Sequence, residues 1–116
     1  VTNGVEATQR NRLKLSGIEQ FMDDIFISGC IGVQKPQKEF FDYCFAHIED
    51  TDPERTLVIG DSLTSDIQGG MNAGIDTCWF NPKGKMRPTS GAGSLENREG
   101  FFDGEIRSLR ELMILL

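Results

Sequence analysis

The chain has 116 residues, 38% of them hydrophobic, with 12 Lys+Arg against 18 Asp+Glu and a formal charge of −6. That is one small domain's worth of sequence, able to bury about two-thirds of its surface on folding. The acidic balance argues against a nucleic-acid polymer or an anionic membrane as partner, because phosphate surfaces are met by basic faces.

No apolar run approaches the ~20 residues of a membrane span, and no signal-peptide pattern opens the chain, so a soluble, cytoplasmic protein is expected. Val1-Thr2-Asn3-Gly4 reads as the end of a strand turning into a loop. Good helix formers from Val5 to Leu15 predict a helix, and Gly17 supplies its stop. Phe21–Ser28 ends in a β-branched and aromatic run that predicts a strand closed by Gly29. Pro36 fits the first turn of a helix, where its missing N–H costs nothing. Phe40, Phe41, Cys44, Phe45 and Ile48 recur on one face of that helix, over about four turns. His47, the only histidine, falls on its surface, which excludes a His-based triad or a multi-histidine zinc site. Cys30, Cys44 and Cys78 form no C-x-x-C pair and are expected to be reduced, buried small hydrophobes.

Asp50–Glu54 is a polar break around Pro53. Thr56-Leu57-Val58-Ile59 is a continuous apolar run, the pattern of a strand buried on both faces in a parallel sheet, and Gly60-Asp61 ends it. A helix is predicted over Asp66–Ala73 with Gly74 as its stop, then a strand over Ile75–Phe80 and a turn at Asn81-Pro82. Lys83–Gly100, rich in glycine, reads as a long surface loop, and Glu105-Ile106 as a last short strand. Ser108-Leu109-Arg110-Glu111 is a capping box before Leu112, Met113, Leu115 and Leu116. Alternating strands and helices around a buried apolar strand define an α/β protein with a parallel sheet.

In such sheets chemistry gathers at the carboxyl ends of the strands. Three segments place polar groups there: Thr2-Asn3-Gly4, Lys35, and the loop from Gly60 to Asp66 with its two carboxylates. Each alone has a plain reading, as a helix cap, a solvated lysine, or a turn acid and a helix-start acid. Together, hydroxyl, lysine and paired carboxylates suit phosphoryl chemistry. Asp61 and Asp66 are hard oxygen donors suited to Mg²⁺, and the hydroxyl and ammonium can share phosphoryl negative charge. No activated nucleophile accompanies them.

The motifs V-T-N-G (Val1–Gly4), K-P (Lys35-Pro36) and V-I-G-D-S-L-T-S-D (Val58–Asp66) resemble motifs II, III and IV of the haloacid dehalogenase (HAD) superfamily. I-Q-G-G-M-N-A-G-I-D-T-C-W-F-N-P (Ile67–Pro82) and E-I-R-S-L (Glu105–Leu109) look like its pyrimidine 5′-nucleotidase-like branch. The fourth motif is the specific part, and Lys83–Asp103 carries little family signal. The resemblance implies a Rossmann-like, three-layer α/β/α core with a parallel sheet, and a Mg²⁺-dependent phosphatase for small phosphorylated metabolites such as nucleoside 5′-monophosphates. Carried over residue by residue, it makes Thr2 and Lys35 catalytic, with Thr2, Asn3 and Lys35 binding the substrate phosphate. Asp61 is then the principal metal ligand, and Asp66 the second acid, which holds the metal through water or orients Lys35.

In the family reaction an aspartate attacks phosphorus to form an aspartyl-phosphate, and a second aspartate two residues later serves as acid and base. No strand ending in D-x-D occurs in this sequence. Residues 1–116 therefore read as a partial core domain, expected to be inactive alone, whose first strand and substrate-selecting cap would lie upstream of Thr2. An exposed strand edge would favour a complementing chain or a swapped dimer. A non-catalytic pseudo-enzyme, or a module that binds Mg²⁺ or phosphate, is the alternative. A receiver-like phosphoaspartate switch fits poorly, since it places the acidic pair first and the lysine last.

Overall fold

The computed structural model describes residues 1–88 and 100–116. The first helix, α1 (Glu6–Ser16), ends as its sequence requires: Gly17 takes the left-handed conformation (φ 73°) and its N–H donates to the Lys14 carbonyl. No residue of α1 is buried. The predicted strand at Phe21–Ser28 contracts to one parallel bridge between Thr2 and Ile27. Phe21 is taken into a tight helical turn (Ile18–Phe21), and pairing is limited to what Val1–Gly4 offers. The Thr2 N–H donates to Phe26 O at 2.9 Å and the Ser28 N–H to Thr2 O at 3.0 Å. A single helical turn, α2 (Ser28–Ile31), follows at once.

The third helix, α3 (Lys38–His47), starts later than predicted: Gln37 precedes its first residue, and Pro36 sits in the preceding turn behind a cis peptide with Lys35. Its apolar face is the predicted one. Phe40, Phe41 and Cys44 are buried with Val58 and Ile75, and Phe45 and Ile48 pack against that cluster. The Phe40 and Phe41 rings meet edge to face at 5.5 Å. His47 lies exposed on the helix surface and stacks on Tyr43.

The sheet consists of β1 (Leu57–Gly60), β2 (Asp76–Phe80) and β3 (Asp103–Ile106), in the order β1-β2-β3 and all parallel. The fold is therefore the expected one, an incomplete Rossmann-like α/β core. The strand enclosed by the sheet is β2, in which Thr77, Cys78 and Trp79 are all buried. The expectation that β1 is buried on both faces fails. Among the described residues β1 lies at the sheet edge; Val58 is buried, whereas Ile59 on the opposite face is 39% exposed.

The β1–β2 crossover opens with a wide π-type turn (Leu63–Ile67) and runs into α4 (Gln68–Asn72), stopped by Gly74 at φ 69°. Glycine at the crossover is a packing requirement: a Cβ on Gly70 would lie 2.6 Å from Thr77 Cγ2, and one on Gly69 2.8 Å from the Phe41 ring. At the chain's end the capping box forms as predicted, with Ser108 and Glu111 each accepting from the other's turn, before α5 (Leu112–Leu115). Of the Lys83–Gly100 loop, residues 89–99 lie outside the described residues. Among those described, no helix is long and apolar enough to cross a membrane.

Cys44 and Cys78 are buried as expected; Cys30 is exposed. Burial pushes the Cys44 thiol up to about 11 from 9.0, so the fold favours its neutral form. That stabilisation is fully present below pH 9.0 and is lost as pH rises toward about 11. A disulfide-exchange reagent at pH 8 is expected to label Cys30 alone, with Cys44 and Cys78 reacting only in denaturant. Labelling of Cys44 in the native chain would show that the α3–β1 core is open.

Candidate functional site

The site begins where β1 ends. Gly60 must be glycine because Asp66 leans against it: a Cβ there would lie 2.3 Å from Asp66 Oδ2. The π-type turn delivers Asp66 to this place. Its N–H donates to Ser62 O at 2.9 Å, and its Oδ2 accepts from the Ser62 N–H at 3.1 Å. Ser62 closes the turn further by accepting the Ser65 N–H on Oγ at 3.2 Å.

The other carboxylate oxygen, Asp66 Oδ1, forms an ion pair with Lys35 Nζ. Both residues are 7% exposed. A buried pair repays its desolvation only if the remaining donors and acceptors are also satisfied. Here Lys35 Nζ also donates to Val1 O at 3.5 Å, and Asp66 has the Ser62 N–H.

Asn3 holds Lys35 from the main-chain side. Its Nδ2 donates to Lys35 O at 2.9 Å and its Oδ1 accepts the Lys35 N–H at 3.0 Å, so the amide engages both sides of one residue's backbone. Gln9 in α1 holds Asn3 in turn, Nε2 donating to Asn3 O at 2.7 Å. The Gly4 N–H donates to Ser28 Oγ at 2.9 Å. Thr2 is half-buried, and its hydroxyl donates to Asn3 O at 3.3 Å.

Three sequence-predicted segments thus meet in one network, with Asn3, Lys35 and Asp66 bonded in series. Two predicted residues make no side-chain bond to the ion pair. Among the described residues, the Thr2 hydroxyl does not bond to Lys35 or Asp66, and the exposed Asp61 carboxylate has no hydrogen-bond or ion-pair partner. Asp61 borders a hollow of about 200 Å³ lined also by Trp79, Asn81, Lys83 and Lys85. Its main-chain oxygen accepts from Trp79 Nε1 at 3.0 Å. No three His, Cys, Asp or Glu side chains converge among the described residues.

Sequence reasoning included Gly60 in the loop without its packing role and missed Trp79 and Asn81. Asn81 is 3% exposed and organises the loop beyond β2: its Nδ2 donates to Lys85 O at 2.9 Å and Glu105 Oε1 at 2.8 Å, and its Oδ1 accepts the Lys85 N–H at 3.0 Å. The available signal was position. All three lie at the carboxyl ends of β1 and β2, the rim on which parallel sheets place their sites.

Comparison with known proteins bears on the family and the fold. The family model described as HAD-hydrolase-like matches residues 32–99, more than half of the chain. A protein of Bacillus subtilis (strain 168) named as a HAD-hydrolase, YfnB, is 56% identical over 116 residues, 100% of this chain and 46% of that protein. The pyrimidine 5′-nucleotidase PynA of Streptococcus pneumoniae is 49% identical over 81 residues, 70% of this chain and 34% of that enzyme. The crystal structure of YfnB from Bacillus subtilis bound to magnesium superposes with a TM-score of 0.83 and 48% identity, covering 100% of this chain and 47% of the other. The chain thus spans less than half the length of these relatives.

Gly60→Ala tests the packing that seats Asp66. The added methyl is expected to lower unfolding stability by about 1–3 kcal/mol in urea titrations, as overpacking does. Stability equal to that of the parent chain would mean that Asp66 is not pressed against the end of β1.

Proposed function

The chain belongs to the HAD-hydrolase-like family, and on that premise we propose that it carries the phosphate-handling part of a Mg²⁺-dependent phosphatase. Its substrates would be small phosphomonoesters, nucleoside 5′-monophosphates first among them. The observation that carries this reading is the buried Lys35–Asp66 pair at the carboxyl end of the sheet, with Asp61, whose carboxylate is unpaired among the described residues, on the same loop as Asp66.

Lys35 is the cation for the phosphoryl oxygens. Asp66 pairs with the ammonium and orients it, and Asn3 fixes the main chain that carries it. The Thr2 hydroxyl, engaged among the described residues with the neighbouring Asn3 carbonyl alone, can turn to a phosphoryl oxygen. Asn3 belongs to the phosphate-binding set through its main chain, since its side chain is committed to Lys35.

The donor set suits Mg²⁺, which takes one or two carboxylates and completes its shell with water and substrate oxygens. Asp61, exposed and unpaired among the described residues, would hold it directly. Asp66 would contribute through water or by orienting Lys35, and its pairing supports the second role. The metal, when bound, supplies charge neutralisation for the phosphoryl group.

The attacking carboxylate comes from outside these 116 residues, from a preceding segment or a complementing chain. Its oxygen bonds phosphorus as the ester oxygen leaves with a proton from a second acid. Water then cleaves the aspartyl-phosphate and releases phosphate. The nucleotide preference is supported by the identity to a relative named as a pyrimidine 5′-nucleotidase.

Joining this chain to a segment that supplies a strand ending in D-x-D is expected to give Mg²⁺-dependent phosphate release from nucleoside monophosphates. Asp61→Asn is expected to lower that rate by at least about a hundredfold, because a charged ligand is lost, and the chain alone should show no turnover above background. Near-parental turnover in Asp61→Asn would remove Asp61 from the metal site; turnover by the chain alone would mean that the nucleophile lies within it.

A further inference from the structure

We propose that Trp79 is a positioning residue for Asp61, holding the main chain of the loop so that the carboxylate is left as its free metal donor. The proposal rests on the reading of Asp61 as a Mg²⁺ ligand. In the β1–β2 ladder Trp79 lies opposite Gly60, and its indole N–H reaches one residue further to the Asp61 carbonyl at 3.0 Å. Trp79 is 3% exposed, and an indole has a single donor and no acceptor, so among the described residues the Asp61 carbonyl is its one hydrogen-bond partner.

The indole is itself fixed. The Arg87 guanidinium sits over its ring, 5.3 Å from the centroid. Arg87 Nη1 pairs with Asp103 Oδ2 at 3.3 Å, and Asp103 Oδ1 accepts from the Thr77 hydroxyl at 3.0 Å. The ring is thereby tied to both β2 and β3.

On its other side Asp61 adjoins Ser62, whose N–H and carbonyl are both bonded to Asp66. Asp61 is therefore bracketed by two anchored points, and the freedom left to it is that of its side chain. A metal ligand fixed before binding loses less entropy when it binds.

The chain contains one tryptophan, so its emission reports from this position alone. Mg²⁺ titration of the chain, followed by calorimetry and by fluorescence, is expected to give a saturable emission change with the calorimetric midpoint, absent in Asp61→Asn. Trp79→Phe, which keeps an aromatic ring and loses the N–H, is expected to weaken Mg²⁺ binding about tenfold by calorimetry. Replacing the indole with benzothiophene, which keeps the shape and exchanges the N–H for sulfur, is expected to do the same and decides the matter if Trp79→Phe does not fold. Parental affinity in the benzothiophene chain, with binding abolished in Asp61→Asn, would overturn the positioning role and leave the metal reading standing. Unchanged Mg²⁺ binding in Asp61→Asn, or no binding by the parent chain, would overturn both.

Discussion

A lysine and an aspartate with only 7% of each residue exposed are the constraint around which this site is built. Lys35 and Asp66 are 31 residues apart in sequence and belong to different segments, so their pairing requires the turn before α3 and the turn after β1 to be fixed together. A buried ion pair of this kind is weak evidence for stability, since desolvation offsets much of the attraction. What the pair does here is fix the position of the Lys35 ammonium at the carboxyl end of the sheet. Asn3 and Ser62, one bonding the lysine's main chain and the other the aspartate's carboxylate and N–H, make the arrangement specific.

The sheet serves that arrangement through close approaches. Gly60 lets Asp66 lie against the end of β1, and Gly69 and Gly70 let the crossover lie against Phe41 and Thr77. The π-type turn widens the start of the crossover, so that the N–H groups of both Asp66 and Ile67 reach the Ser62 carbonyl. Packing and chemistry meet at this turn: residues that close the β1–β2 crossover also set the carboxylate that holds Lys35.

Much of this was legible in the sequence, and the reasons differ by element. Helix α1 with its Gly17 stop, the apolar face of α3, and the Ser108–Glu111 capping box follow from local rules and needed no tertiary information. The strand predicted at Phe21–Ser28 depended on a pairing partner, which local pattern does not contain, and it contracted to one bridge. The apolar run at Thr56–Ile59 suggested a doubly covered strand, but coverage belongs to sheet position, and β2 holds the central one. For the candidate site, order and spacing pointed to Thr2, Asn3, Lys35, Asp61 and Asp66, of which the structure links Asn3, Lys35 and Asp66. Side-chain commitments were beyond that reach: that Asn3 spends its amide on Lys35, and that Trp79 holds the Asp61 carbonyl, follow from three-dimensional packing alone.

The division of labour between the two acids follows from the same commitments. Asp66 is enclosed and paired, and Asp61 is exposed with its carboxylate free among the described residues. In the proposed function one acid orients the cation and the other is left for a metal. This rests on the Lys35–Asp66 interaction being energetically coupled, which a double-mutant cycle of Lys35→Met and Asp66→Leu measures directly by urea unfolding. Each single change is expected to cost about 3–5 kcal/mol by leaving a buried charge unpaired, while the double variant recovers much of that loss, giving a coupling of at least ~2 kcal/mol. Additive losses, with a coupling near zero, would contradict the pair's place at the centre of the site.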